Sequence, residues 1–178
     1  LTQSHGWAGF VARFDGASVS TWSHSIVPAP ASDDPVLVSE VVSDDEGNVW
    51  LTGQSDEAIA WAEGEILPGH GPFAIAYGPA GQPRWARRLS FSPASLSIRS
   101  DGSVVAIGVD GAHLIQLEID PDSGDSTERA LGTNISHALD ASANDDRTTI
   151  ALCNLGDATV GDVVLAHHDE TEDGLGNP

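Results

Sequence analysis

Three aspartates in one short segment are the residues of this chain whose spacing best suits a metal ion. Asp120, Asp122 and Asp125 stand in the run Asp-Pro-Asp-Ser-Gly-Asp, and Ca²⁺ prefers several oxygen ligands of this kind. The full EF-hand spacing fails, because no glutamate stands at the twelfth position. Asp and Gly also dominate ordinary hairpin turns. The segment therefore predicts either a turn or a calcium site, and calcium is the one cofactor that the sequence suggests.

Four neighbouring residues form the only basic patch of the sequence. Arg84, Arg87 and Arg88 flank Trp85, and an exposed patch of this composition can bind an anion or a partner protein. The same arginines can instead neutralise nearby carboxylates or pack on the indole ring. Both interpretations remain open at this point.

The sequence contains no recognisable catalytic motif. His167 and His168, followed by Asp169 and Glu170, form the densest group of metal-ligand types. Adjacent residues of a strand point to opposite faces, so the two histidines cannot chelate one ion together, and we expect them to be structural or surface residues. No Gly-x-Ser-x-Gly, CxxC, HExxH or phosphate-loop motif occurs. The sequence therefore points to no catalytic residue.

A repeat shows which elements position these residues. Residues 10–26 align without a gap with residues 73–89, and in both copies a tryptophan, Trp22 or Trp85, follows the first phenylalanine by twelve positions. A second stretch, residues 47–53, matches residues 102–108, and both follow acidic turn residues. Self-similarity of this kind is typical of repeat architectures.

Alternating apolar residues predict that these stretches are half-buried strands. Asp/Gly-rich turn signals separate the strands, while residues 56–65 can form a short helical turn. One unit is then a four-stranded antiparallel meander of about 40–50 residues, the size of a propeller blade. The alternation also predicts four aromatic residues packed between adjacent sheets: Phe10, Phe14, Phe73 and Tyr77.

These residues resemble a known family. The pattern Gly-x-Phe-Val-Ala-Arg-Phe-Asp, followed by a tryptophan and then by Gly-Asn-Val-Trp-Leu-Thr-Gly, is similar to the bacterial β-propeller repeats of the SBBP type. Such repeats occur in secreted and surface proteins, notably those of myxobacteria. The resemblance covers residues 6–111 well and residues 112–169 less well. It implies an extracellular, cell-surface or periplasmic location, and it brings no catalytic residues, because the repeated positions are structural.

Composition excludes several classes of partner. The 27 acidic residues and 7 arginines give a formal charge of −20, which repels nucleic-acid phosphates and anionic lipids. No apolar stretch has the length of a membrane-spanning helix. Cys153 is the only cysteine, so an intrachain disulfide is excluded and a buried thiol is expected. The chain starts at Leu1 and contains no methionine, which leads us to expect a processed product or a fragment.

The predicted fold is all-β, with repeated four-stranded antiparallel blades in a β-propeller-like array that is partial or completed by another chain. We expect one domain, residues 1–178, with about three units (6–56, 70–111 and 112–160), the opening strand of a fourth (163–169) and an acidic tail (170–178). Three units are too few for a ring. We therefore expect other protein chains as partners, in a larger assembly or a longer parent polypeptide, and we favour pairing of the opening strand with a second chain over closure within the chain.

The predicted function is a non-enzymatic binding or scaffolding module of a secreted or cell-surface assembly. The repeated residues build sheets, whereas the variable residues fall in loops, where recognition usually takes place. The alternative is a propeller enzyme, a carbohydrate-active hydrolase or lyase with acidic residues in its channel. Carboxylates clustered about 5–10 Å apart would favour the enzyme.

Overall fold

The protein is built from strands alone in the part that the structure describes. A computed structural model describes residues 8–30, 33–135, 137–143, 148–153, 158–160 and 163–165. The predicted all-β class is confirmed, and no helix able to span a membrane is found among these residues. His167, His168 and the tail 170–178 lie outside them. The strands are, in chain order, β1 (Gly9–Phe14), β2 (Ser20–Pro28), β3 (Val36–Ser43), β4 (Val49–Ser55), β5 (Ile59–Ala62), β6 (Glu65–Leu67), β7 (Gly71–Tyr77), β8 (Pro83–Arg88), β9 (Ser92–Ile98), β10 (Val104–Asp110), β11 (His113–Ile119), β12 (Ser126–Thr133), β13 (His137–Ala143), β14 (Thr148–Cys153), β15 (Ala158–Val160) and β16 (Val163–Leu165).

The strands pair into four antiparallel sheets. Sheet I has the order β1-β2-β5-β6, and sheet II has the order β3-β4-β7-β8. Sheet III has the order β9-β10-β11-β12 and continues into β15 and β16, while sheet IV contains β13 and β14. Apolar side chains join sheet I to sheet II, sheet II to sheet III and sheet III to sheet IV. The sheets therefore form a stacked series that follows the order of the chain.

Two kinds of hairpin alternate along this series. We call β3–β4, β9–β10 and β13–β14 the inner pairs, because β9 contacts both β3 and β13. We call β1–β2, β7–β8 and β11–β12 the outer pairs. In each inner pair the register shifts by one residue at the equivalent place. The shift falls between Val38 and Glu40 in β3–β4, between Ile107 and Gly108 in β9–β10, and between Ala138 and Asp140 in β13–β14. This shared irregularity shows that the three inner pairs are structural repeats.

The sheets do not coincide with the units 6–56, 70–111 and 112–160. Each complete sheet instead joins the inner pair of one unit to the outer pair that follows it. Gly53 explains this grouping, because it pairs with Phe73 and a Cβ at Gly53 would overlap the Phe73 ring. Gly108 occupies the same position opposite Ile115. The glycine that ends each second stretch is therefore paired with the equivalent apolar residue of the following outer pair.

Two short hairpins extend earlier sheets. The hairpin β5–β6 joins sheet I through Val27 opposite Ala60, and β15–β16 joins sheet III through Gly132 opposite Val160. Residues 56–65, for which we predicted a helical turn, belong instead to the first of these hairpins, and Gly64 provides its positive φ of 77°. Residues 163–165 of the predicted opening strand pair with β15. Pairing of this strand with a second chain stays a prediction. A hairpin after an inner pair thus extends the preceding outer pair in both places.

The core confirms two of the four predicted aromatic residues and corrects the other two. Phe73 and Tyr77 are fully buried between sheets I and II. Phe10 and Phe14 are 62% and 59% exposed, so their predicted burial is wrong. The reason is that sheet I packs on sheet II through the opposite face, which carries Val11. No other sheet of the described residues covers the face with the two phenylalanines.

Candidate functional site

The two sets of residues predicted as sites lie against each other. The basic patch on β8 contacts the acidic turn between β11 and β12. Arg84 forms an ion pair with Asp122, and the Arg87 guanidinium lies 2.7 Å from Asp125 Oδ1. Trp85 donates its indole N–H to the carbonyl of Pro121 at 3.0 Å. Three of the four basic-patch residues thus fasten sheet II to sheet III.

Asp120 stabilises the turn from inside. Its Oδ1 accepts hydrogen bonds from the backbone N–H of Ser123 at 2.7 Å, from the Ser123 hydroxyl at 3.0 Å and from the N–H of Asp122 at 3.0 Å. The bonds from Ser123 hold the pKa of Asp120 below its usual range. One oxygen of the Asp120 carboxylate is therefore hydrogen-bonded within its own turn.

The three aspartates have separate hydrogen-bond or ion-pair partners. Asp120 caps the turn, while Asp122 and Asp125 face arginines. Groups of three or more His, Cys, Asp or Glu that could hold a metal ion are absent from the described residues. A cavity of about 520 Å³ beside the turn is lined by all three aspartates and by Asp101 and Glu118, among other residues. Calcium binding here remains a prediction that the geometry does not favour.

We expect calcium to act on this protein only through ionic strength. At a charge of −20, added salt screens self-repulsion and raises the melting temperature. Low-millimolar calcium chloride and sodium chloride of equal ionic strength should therefore give the same thermal melting curves. A larger shift in calcium that the double variant D122N/D125N abolishes would instead establish a specific site.

Arg88, the fourth residue of the basic patch, has a different environment. Its guanidinium donates hydrogen bonds to five acceptors, which satisfies all five of its N–H groups. Burial lowers the pKa of Arg88, and these contacts fix the loops on either side of β5–β6. Arg88 therefore has no donor left for a partner. The acceptors are the carbonyl oxygens of Glu57, Pro68, Gly69 and Gly71 and the hydroxyl of Ser55.

Trp22 of sheet I makes the same kind of contact with a turn of sheet II as Trp85 of sheet II makes with the turn of sheet III. Trp22 donates its indole N–H to the carbonyl of Pro79 at 3.2 Å, in the turn between β7 and β8. Trp22 and Trp85 therefore occupy matching positions, as the repeat predicted, although Trp22 is only half-buried. The glycines of the two turns, Gly81 and Gly124, have positive φ angles and lie under the indole rings, where a Cβ would approach within 2.7 Å.

The polar residue two positions after each tryptophan makes an equivalent contact. His24 Nε2 lies 2.6 Å from the carbonyl oxygen of Gly81, and Arg87 donates to the carbonyl of Ser123 at 2.9 Å. The third outer pair carries Thr127 and Arg129 at the corresponding positions, and both are exposed. Their counterpart, a turn of a following outer pair, is absent from the described residues. Among the described residues, the contact between an outer pair and the turn of the next outer pair is therefore missing at the C-terminal end of the series of sheets.

The N-terminal end of the series is open in the same way. Phe10 is 62% exposed, whereas its equivalents Phe73 and Ile115 are 0% and 5% exposed. Phe14 is 59% exposed, and its equivalents Tyr77 and Ile119 are 0% and 2% exposed. The repeat therefore shows that a face normally covered by the preceding sheet is uncovered on sheet I.

Other exposed apolar residues adjoin this face, on β6 of sheet I and on β3 of sheet II. Ile66 is 60% exposed. It lies on the same face of sheet I as Phe10, because Val27 pairs with Ala60 and Ala60 pairs with Ile66. Val41 on β3 is 58% exposed, although its repeat equivalent Leu96 is 7% exposed. A cavity of about 280 Å³ between β1 and β3 is lined by Phe14 and Val41 among other residues. We call Phe10, Phe14, Ile66 and Val41, together with the free edge of β1, the open end of sheet I.

Sequence reasoning missed this surface because the strand pattern of β1 is the same as that of β7. Alternation places Phe10 and Phe73 on equivalent faces but does not tell which face has a neighbour. No protein-family model matches this chain, and no curated protein matches it either. The resemblance to SBBP-type repeats therefore remains a prediction.

Proposed function

We propose that this protein is a non-enzymatic, β-propeller-type binding or scaffolding module of a secreted or cell-surface assembly, and that the open end of sheet I is its binding surface. One observation carries the proposal. Phe10 and Phe14 are more than half exposed on β1, while the equivalent positions of both other outer pairs are buried between sheets. A second copy of the chain that supplies the missing sheet would bury them in the same way, so the proposal implies self-association.

The propeller-like arrangement is supported by the order of strands within the sheets. In sheets II and III an inner pair and an outer pair form a four-stranded antiparallel meander, which in sheet III continues into β15 and β16. Their first strands, β3 and β9, lie next to each other, and β13 continues the series. Propeller blades have this order, with the first strand of each blade nearest the central axis.

A binding role is supported by the two features that meet at the open end. A terminal strand presents unpaired N–H and C=O groups that can pair with a strand of another chain. Within the described residues β1 is the terminal strand of sheet I, and the apolar side chains of Phe10, Phe14 and Ile66 stand on the adjoining face. Apolar surface of this kind commonly marks a protein interface.

The alternative, a carbohydrate-active enzyme, receives less support. A glycosidase needs one carboxyl group that stays protonated as the general acid. Of the five carboxylates that line the larger cavity, Asp101 and Asp120 have pKa values lowered chiefly by hydrogen bonds from Ser103 and Ser123 respectively. These two groups are therefore unsuited to the role of the general acid.

The proposal predicts self-association through Phe10 and Phe14. Sedimentation velocity over a range of concentrations should show that the wild-type chain associates, because association removes the two rings from water. The double variant F10S/F14S should sediment as a monomer. Leu37→Ser is the matched control, because Leu37 is 52% exposed but lies on β3 of sheet II; it should behave as the wild type.

Two results would contradict the proposed function. One is a wild-type chain that stays monomeric at every concentration tested. The other is association that persists unchanged in F10S/F14S, since the binding surface would then lie elsewhere.

A further inference from the structure

We propose that the chain which completes sheet I is a second copy of this protein, and that the two copies exchange strand pairs. The inner pair β13–β14 of each copy would add to the free edge of β1 in the other copy. This inference rests on the proposed function and goes further, because it names the strands that pair, their exchange between two copies and their register.

The described residues contain two incomplete sheets that complement each other. Sheet I has an outer pair, β1–β2, without an inner pair beside β1. Sheet IV has an inner pair, β13–β14, without an outer pair beside β14. In sheets II and III the corresponding strands are joined, β4 to β7 and β10 to β11. Joining β14 to β1 would make a third sheet with the same strand order.

The two complete sheets define the register of this junction. Val49 pairs with Tyr77 and Gly53 with Phe73 in sheet II. The same register recurs in sheet III, where Val104 pairs with Ile119. The shared register shift of the inner pairs aligns β14 with β4 and β10. The repeat then places Thr148 of one copy opposite Phe14 of the other, and Leu152 opposite Phe10.

The same arrangement completes the series of junction contacts. Joined to β14, the outer pair of the second copy would lie over the exposed end of sheet III, and its Phe10 and Phe14 would face β12. Arg129 holds the position of His24 and Arg87, which bind turn carbonyls in the two observed junctions. Its equivalent acceptor is the carbonyl of Ser18 in the second copy, since Ser18 matches Gly81 and shares its positive φ.

The number of sheets favours two copies over closure of one chain. The described residues of each chain supply two complete sheets, one inner pair and one outer pair. If these strands closed within a single chain by joining β14 to β1, they would make three sheets, below the range of about four to eight blades in propellers. The described strands of two chains that exchange inner pairs would make six. The resulting two-fold dimer uses the same contact twice, as closed homodimers do.

Cysteine cross-linking between separately prepared variants tests both the partner and the register. Phe14→Cys and Thr148→Cys are made in different chains, each in a Cys153→Ala background, and the chains are mixed under oxidising conditions. Opposite residues of an antiparallel pair have Cα atoms about 4.5–5.5 Å apart, a distance that a disulfide can bridge. Thr149→Cys is the matched control, because Thr149 is equally exposed and its side chain points to the opposite face.

We expect the Phe14→Cys and Thr148→Cys chains to form a disulfide-linked product of twice the chain's 18.5 kDa on non-reducing electrophoresis. The mixture with Thr149→Cys should give little of it. Association that depends on Phe10 and Phe14 but gives no Thr148 cross-link would overturn this inference and leave the proposed function intact. An intrachain disulfide in a monomeric F14C/T148C double variant would overturn it in favour of closure within one chain. A monomer without any cross-link would overturn both proposals.

Discussion

We expect Phe73→Ala to lower the free energy of unfolding by about 3–5 kcal/mol, the usual cost of deleting a buried phenylalanine ring. Phe73 is fully buried, and its ring fills the space left by the missing side chain of Gly53. The Arg88 guanidinium lies 6.0 Å from the ring centroid. Truncation would leave a cavity between sheets I and II, where apolar contacts join the two sheets. Denaturant unfolding monitored by tryptophan fluorescence measures this change.

Phe10→Ala is the matched control, because the repeat places the same residue type at the equivalent position. Its ring is 62% exposed in the single chain, so at protein concentrations below association the variant should lose less than about 0.5 kcal/mol. At higher concentrations the loss should grow, as the ring becomes part of an interface. Equal losses for Phe10→Ala and Phe73→Ala in dilute solution would show that sheet I does not have an open face.

We expect Tyr77 to remain protonated in the folded protein at pH values where free tyrosine ionises. Burial raises the pKa of Tyr77 far above its usual value, and the phenol donates a hydrogen bond to the carbonyl of Trp61 at 2.7 Å. Because the pKa is higher in the folded than in the unfolded state, the stabilisation is fully present below about pH 10 and is lost as the pH rises towards the folded-state pKa. Alkaline unfolding should therefore accompany ionisation of Tyr77.

The chain has a single tyrosine, so absorbance at the phenolate band reports this residue alone. The absorbance change should coincide with the loss of the far-ultraviolet circular dichroism of the sheets. Tyr77→Phe should be less stable at neutral pH, because the Trp61 carbonyl loses its donor, but its stability should fall less steeply above pH 10. A phenolate titration near pH 10 with unchanged circular dichroism would show that Tyr77 is accessible to solvent.

The local structure of this protein follows closely from its sequence. Alternation and Asp/Gly turn signals predicted the strands, and the equal spacing of Trp22 and Trp85 predicted their matching positions. These features depend on residues close together in sequence, such as the turn in which Asp44 accepts a hydrogen bond from the N–H of Asn48 at 2.8 Å. Local hydrogen bonding and strand periodicity can be read from a single chain.

The grouping of strands into sheets could not be read in the same way. The repeat alone does not tell whether a unit starts with the inner or the outer pair, because both choices give the same periodic sequence. The choice depends on the contact of Gly53 with Phe73, two residues that the predicted units placed in different blades. Exposure of Phe10 and Phe14 follows from the same long-range arrangement and not from the pattern of β1.

For the candidate site residues too, the residue types were apparent from the sequence but their long-range contacts were not. The residue types of the basic patch and of the acidic turn suggested an anion contact and a calcium site as separate functions. The structure pairs Arg84 with Asp122 and Arg87 with Asp125, which is one of the two interpretations left open for the arginines. Charges of opposite sign 38 positions apart cannot be matched without knowing that sheets II and III are neighbours.

Hydrogen exchange of β1 tests most directly whether another chain completes sheet I. Exchange of the amides in β1, residues 9–14, is compared by mass spectrometry with exchange of the equivalent strand β7, residues 71–77, at high and at low protein concentration. Paired strands of a stable sheet exchange slowly, whereas an open edge strand exchanges fast. We predict that both segments are protected at high concentration and that only residues 9–14 lose protection on dilution. Fast exchange of residues 9–14 at every concentration, with residues 71–77 protected, would contradict completion of the sheet by another chain.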